Sequence, residues 1–216
     1  MGSPQVLPPG NLWNTPPPSS RTKNQMLILP HSCFLHVPKT GGSWVKQAIR
    51  AAGIPAREHS IDGNTHLGIA DCPEPGKFRF AFVRNPLGLY RSYWQFKMTV
   101  GWDAANMLDQ RCRADDFVGF VMAVVRDFPG IYARSLRDYV GPAHAPIEFI
   151  GRYEDLVEDL VRALTLAGEQ FDAEAIRQLP PSNVSNKVKA PADFTPELEA
   201  AVRAAEAEVF ERFGYV

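Results

Sequence analysis

The stretch "HVPKTGGSW" (residues 36–44) places one lysine, two hydroxyl side chains and two adjacent glycines between an apolar run and an amphipathic one. Those residue types in that order suit an anion. Gly41 and Gly42 let the backbone approach a ligand closely. The first amides of the helix that follows have no intrahelical acceptor and sit at the positive end of its dipole. Lys39 adds a full charge, and Thr40 and Ser43 add hydroxyl donors. The pattern is not the common nucleotide loop G-x-x-x-x-G-K-[ST]. The lysine precedes the glycines and no glycine lies five residues before it, so a nucleoside triphosphatase loses its main support. The plainer alternative is a Gly-Gly turn with a solvated lysine.

A second candidate lies at "FVRNPLGLYRSYW" (82–94). Asn85-Pro86 reads as an N-cap and the first residue of a helix. Arg84 stands just before it, and Ser92 follows eight residues later with Arg91 beside it. An arginine grips a phosphate with two parallel hydrogen bonds and a serine adds a third. Spacing alone does not bring Arg84 and Ser92 onto one group.

These loops need elements to position them. Residues 26–37 contain an apolar run that reads as one buried strand, and "KFRFAFV" (77–83) and "IEFIG" (147–151) read as two more. Helical patterns follow at 42–53, with Gly53 as the expected C-terminal cap, after Asn85-Pro86, at 115–128, at 155–166 and from Thr195 onward. The last shows Leu198, Val202, Ala205, Val209 and Phe213 on one face. Strand–helix alternation predicts a three-layer α/β fold, a central parallel sheet flanked by helices. Ligands of such folds sit at the carboxyl ends of the strands, where both candidate loops fall. Residues 1–26, rich in Pro, Gly and Ser, read as a flexible segment ahead of a single domain at 27–216.

Composition narrows the function. The chain has 216 residues and a formal net charge of -1, which gives no bulk footprint for nucleic acid or an anionic membrane. Three scattered cysteines argue for reduced thiols and a cytoplasmic setting. A zinc site from Cys72, His59 and His66 matches no standard ligand spacing. No stretch is long enough for a membrane span, and no signal peptide pattern opens the chain.

Taken together, the two loops resemble the sulfotransferases that use 3′-phosphoadenosine-5′-phosphosulfate. "PKTGGSW" is similar to that family's 5′-phosphosulfate loop, and "RNPLGLYRS" to its 3′-phosphate motif. "GRYEDL" (151–156) is similar to a Y-E-D segment after a later strand. The closing "FTPELEAAVRAAEAEVFERFGY" is similar to the last helix of many bacterial members. The resemblance covers residues 33–215. It implies a P-loop-like sulfotransferase architecture, with Lys39 on the 5′-phosphate and the bridging oxygen and Thr40, Gly41, Gly42 and Ser43 as the cradle. It places Arg84 and Ser92 on the 3′-phosphate, and Trp44 stacked on adenine; a core tryptophan on the helix face is the alternative for Trp44. Tyr153 either lies near the adenine or belongs to a structural turn.

The resemblance also implies a base. "NTHLG" (64–68) lies between the two phosphate motifs, as the family's T-H-L histidine does, so His66 takes the acceptor's proton, with His59 and Glu58 as rivals. His36 reads as a structural histidine. The family's late R-K-G triplet is missing. "SNKVKAP" lies in its place, with Lys187 or Lys189 as its substitute, or as a solvated basic loop. The implied reaction moves a sulfuryl group to a hydroxyl or amine of a carbohydrate or small-molecule acceptor, leaves adenosine 3′,5′-bisphosphate and uses no metal. The rivals are a non-catalytic nucleotide-binding or interaction module and a small-molecule kinase. Acceptor and oligomeric state are not legible.

Overall fold

The computed structural model describes residues 26–61, 67–145, 147–181 and 190–216. The chain forms an α/β fold around a five-stranded mixed sheet of order β3-β1-β2-β4-β5. Strands β2 (Ser32–Leu35), β4 (Phe78–Val83) and β5 (Phe149–Arg152) are parallel. Strand β1 (Met26–Ile28) is antiparallel to β2, and β3 (Arg57–His59) is antiparallel to β1.

Two expectations are corrected here. The run at 26–37 is a hairpin, not one strand. Pro30, which has no amide hydrogen to give a ladder, sits in its turn, and the Leu29 amide donates to the Ser32 carbonyl at 2.8 Å. The sheet is therefore mixed, and parallel only in its β2-β4-β5 core. Buried Met26 belongs to β1.

Side chains alternate across the sheet with period two. Cys33, Leu35, Ala81 and Val83 face one core, while Phe34, Phe80 and Phe82 face the other. The first core is closed by α2 (Pro86–Val100), α3 (Met107–Cys112), α4 (Phe117–Asp127), α5 (Ile131–Val140), α8 (Pro196–Ala205) and α9 (Ala207–Phe213). The second is closed by α1 (Gly42–Ala51), α6 (Leu156–Leu166) and α7 (Ala173–Arg177). These make nine α-helices among the described residues.

The expected caps are present. The Asn85 side chain accepts from the Leu87 amide with Pro86 at the first helical position, and Gly53 follows α1 at φ 76°. The expected terminal helix is two helices, α8 and α9, which break at Glu206 (φ -111°, ψ 25°). The Glu206 carboxylate is fully buried and accepts from the Tyr90 hydroxyl at 2.9 Å and from the Tyr132 and Ala133 amides at 3.1 Å each. Burial raises its pKa despite these donors. Burial first, then the Cys72 thiol, far off in sequence, pushes the Cys33 thiol up to about 12.

No helix of the described residues is long and apolar enough to cross a membrane.

Candidate functional site

Parallel strands put their carboxyl ends on one edge, where helix N-termini gather and ligands of α/β sheets sit. Strands β2, β4 and β5 end at Leu35, Val83 and Arg152, and the loops after them carry Lys39, Arg84 and Tyr153. Because β3 is antiparallel to β1, it too ends at this edge: His59 pairs with Met26, one rung from Leu35.

The loop after β2 is tightly specified. Thr40 is fully buried, and its hydroxyl donates to the Val37 carbonyl at 2.8 Å. That hydroxyl therefore braces the loop from inside. Gly41 caps α1 in the left-handed region at φ 82°, and a Cβ there would lie 2.6 Å from Leu156 and 3.2 Å from the Tyr153 ring. A Cβ at Gly42 would fall 2.0 Å from Nε2 of His36, whose buried ring stacks on Phe34. One glycine answers to φ and the other to the imidazole beside it.

Lys39 has φ 65°, the one positive value at a non-glycine among the described residues. A lysine held there costs conformational energy, and such strain gathers at functional sites. Its ammonium lies 4.0 Å over the Phe96 ring. Burial first, then the nearby charges of Arg84 and Lys97, push its pKa down to about 7. Lys97 is itself buried against Asp109 at 2.5 Å, and the Tyr93 hydroxyl donates to the same carboxylate at 2.5 Å.

Arg84 joins the two loops. Its guanidinium donates to the Lys39 carbonyl at 3.2 Å and lies 4.0 Å over the Tyr153 ring. Its amide donates to the Tyr132 hydroxyl at 2.9 Å. Burial, as the largest influence, holds its pKa below the ordinary value. The guanidinium runs along the first turn of α2, since a Cβ on Gly88 would meet Arg84 Nε at 3.1 Å. Residues 88, 92 and 96 share one helix face. Half-buried Ser92 thus falls between the turn that Arg84 crosses and the ring under Lys39.

The structure thus brings Lys39, Arg84, Ser92 and Tyr153 to one edge, at the N-terminus of α1. Its cap residue, Gly41, has no side chain to offer and no acidic residue lies in its first turn. Half-buried Ser43 is in this turn. Tyr153 serves as a platform for Arg84 and packs against the glycine loop. Trp44 is placed otherwise: 5% exposed in the second core, its indole donates to the Pro180 carbonyl at 3.2 Å. Its ring is packed in the core, as the alternative reading had it. Glu58 pairs with Arg50 at 3.1 Å and Lys46 at 3.8 Å on the outer side of α1. His66, Lys187 and Lys189 lie outside the described residues.

Several participants went unread in the sequence. Glu154 and the Lys97–Asp109 pair each act through a contact that spacing does not show, and Phe96, an aromatic that suits an acceptor ring, lies under Lys39 instead. Lys97 did leave a trace. It lies four residues after Tyr93, on the stripe that α2 buries. Among the described residues, no group of three His, Cys, Asp or Glu is arranged to hold a metal ion.

No protein-family model, no curated protein and no solved structure matches the chain.

Proposed function

We propose that the protein is a sulfotransferase that moves the sulfuryl group of 3′-phosphoadenosine-5′-phosphosulfate to a hydroxyl or amine of a small molecule or carbohydrate. The observation that carries this reading is the joining of two cationic loops at one sheet edge. Arg84 reaches the Lys39 carbonyl at 3.2 Å, beside a helix N-terminus whose own cap residue, Gly41, has no side chain. A donor with anionic groups on both the 3′ and the 5′ positions of its ribose needs two such loops.

In this reading the amides of residues 41–43 hold the 5′-phosphosulfate. Arg84 and Ser92 take the 3′-phosphate and so reject ordinary adenine nucleotides. The bond between sulfur and the bridging oxygen breaks as the acceptor's oxygen or nitrogen bonds to sulfur. Negative charge builds on the departing phosphate, and Lys39 neutralises it. Buried and crowded by other cations, Lys39 gains most when an anion arrives. The acceptor's proton goes to His66, on the strength of the sequence resemblance. Glu58, engaged by Arg50 and Lys46, is a weaker rival than His59, whose strand ends at the site's edge. Lysine and helix dipole supply the neutralisation, so the reaction needs no metal.

The test is transfer of labelled sulfate from the donor to a panel of phenols, alcohols, amines and sugars. Label in a product, with adenosine 3′,5′-bisphosphate released, is the expected result. Bisphosphate binding without transfer to any acceptor would favour a non-catalytic binder, and phosphoryl transfer from ATP would favour a kinase.

A further inference from the structure

An anion site built on Arg84 has an internal competitor. Glu154 directly follows Tyr153, the residue whose ring carries the Arg84 guanidinium, and its charge acts on Arg84. A free carboxylate there would close on the guanidinium and occupy the place of a ligand phosphate. Both of its oxygens are held elsewhere. Oε1 accepts from the Asn85 amide at 2.9 Å, and Oε2 accepts from the Tyr215 hydroxyl at 3.1 Å.

Tyr215 is itself anchored. Gly214 takes φ 61°, which lets the Tyr215 amide turn back to the Phe210 carbonyl at 3.0 Å. The Arg152 side chain donates to the Phe213 carbonyl at 2.5 Å, and its guanidinium lies 5.1 Å from the Tyr215 ring. The C-terminal Phe213-Gly214-Tyr215 is thus docked on the end of β5, one residue from the platform under Arg84.

We infer that Tyr215 is a positioning residue that holds Glu154 off Arg84 and so keeps the guanidinium open to an external anion. This rests on the proposed function only in that Arg84 receives an anionic group of the ligand. The motif at the C-terminus then has a role at a site in which it makes no contact with the ligand.

The experiment measures by calorimetry the affinity of inorganic phosphate, adenosine 3′,5′-bisphosphate and adenosine 5′-phosphate for four full-length proteins: wild type, Tyr215→Phe, Glu154→Gln and the double variant. One lost hydrogen bond sets the scale, so Tyr215→Phe weakens phosphate and bisphosphate by roughly 2- to 10-fold. Glu154→Gln removes the competing charge and binds at least as tightly as wild type. The double variant returns to the wild-type value, because an amide released from Tyr215 does not neutralise Arg84. A purely structural role makes the double variant as weak as Tyr215→Phe, and that result overturns the inference. So does unchanged affinity in Tyr215→Phe, or weaker binding in Glu154→Gln, which tests the idea even if Tyr215→Phe folds poorly. The donor reading fails separately, if wild type binds bisphosphate no better than adenosine 5′-phosphate. The phosphate series then still reports on Tyr215. Failure of wild type to bind phosphate at all overturns the inference and leaves the donor reading to the nucleotide arm.

Discussion

Helices α1 and α5 begin alike and are completed differently. Each follows a glycine in the left-handed region, Gly41 at φ 82° and Gly130 at φ 68°, so neither cap residue has a side chain to offer, and neither first turn holds an acidic residue. At α5 the chain supplies the anion itself. Glu206 comes from more than seventy residues away to accept the Tyr132 and Ala133 amides. At α1 the neighbours are cations instead, Lys39 and Arg84, with Lys97 behind them. A helix start saturated by an internal carboxylate is architecture. A helix start flanked by cations, with a strained lysine beside it, is what the proposed anionic ligand requires.

The contrast predicts that damage at the two helix starts has opposite signatures. The largest effect is expected at α5. Glu206→Ala strands three buried donors, each of which costs roughly 1–3 kcal/mol, so unfolding in urea should show a loss of at least about 3 kcal/mol. Ligand affinity of the remaining folded protein should be unchanged. If Glu206→Ala left stability intact, the two helix starts would not differ in the way described.

Next is Lys39→Ala. Loss of one strong electrostatic donor to a leaving group lowers turnover on the order of 10²–10³-fold. Stability should hold or rise, because a crowded cation at φ 65° is removed. Single-turnover kinetics beside a thermal scan separates the two effects. A protein that loses stability and keeps its turnover would reverse the assignment.

A smaller effect follows from the proton on Lys39, whose pKa of about 7 lies below its ordinary 10.5. An anion prefers the protonated lysine. Binding should therefore weaken as pH rises above 7, by up to about tenfold per pH unit. Lys39→Met should flatten that slope. The sign for the empty protein is opposite. Between 7 and 10.5 the unfolded chain holds the proton more tightly, so this group makes stability rise with pH across that window, and the gain is lost as pH falls through 7. Titrations at pH 7.5 to 9, with denaturant melts at the same values, check both slopes.

The smallest effect is expected at Phe96. An ammonium resting on the ring at 4.0 Å gives up a contact worth roughly 0.5–1 kcal/mol when it turns to a ligand. Phe96→Leu should therefore bind bisphosphate about two- to fivefold more tightly, as read by calorimetry.

What was legible in the sequence follows the same division. Local chemistry announced itself: Asn85-Pro86 as a cap, Gly53 as a terminus, the apolar runs at 77–83 and 147–151, and the two cationic loops at strand ends. What depends on distant partners did not. The hairpin at 26–35 hid inside one apolar run. Strand β3, polar and at the sheet's edge, has no alternation to read. Helix α5 and the break at Glu206 are one event, since that carboxylate leaves the helix pattern to complete another helix start. Its trace was a charge on the buried stripe, four residues after Val202 and three before Val209. Trp44 satisfied two patterns at once, a motif position and a helix face, and packing chose the face. Tyr153 was open between ligand and turn; contact with Arg84 makes it a platform.

The central claim is that the α1 edge takes a ligand with two separate anionic groups, one on the glycine loop and one on Arg84 and Ser92. The most direct measurement is a calorimetric comparison of adenosine 3′,5′-bisphosphate with adenosine 5′-phosphate, on the wild type and on Arg84→Ala. Wild type should prefer the bisphosphate by at least tenfold, about 1.4 kcal/mol for the 3′-phosphate alone. Arg84→Ala should erase the preference and keep the weaker affinity for the 5′-phosphate. Equal affinity for the two ligands in the wild type, or a preference that survives Arg84→Ala, would contradict it.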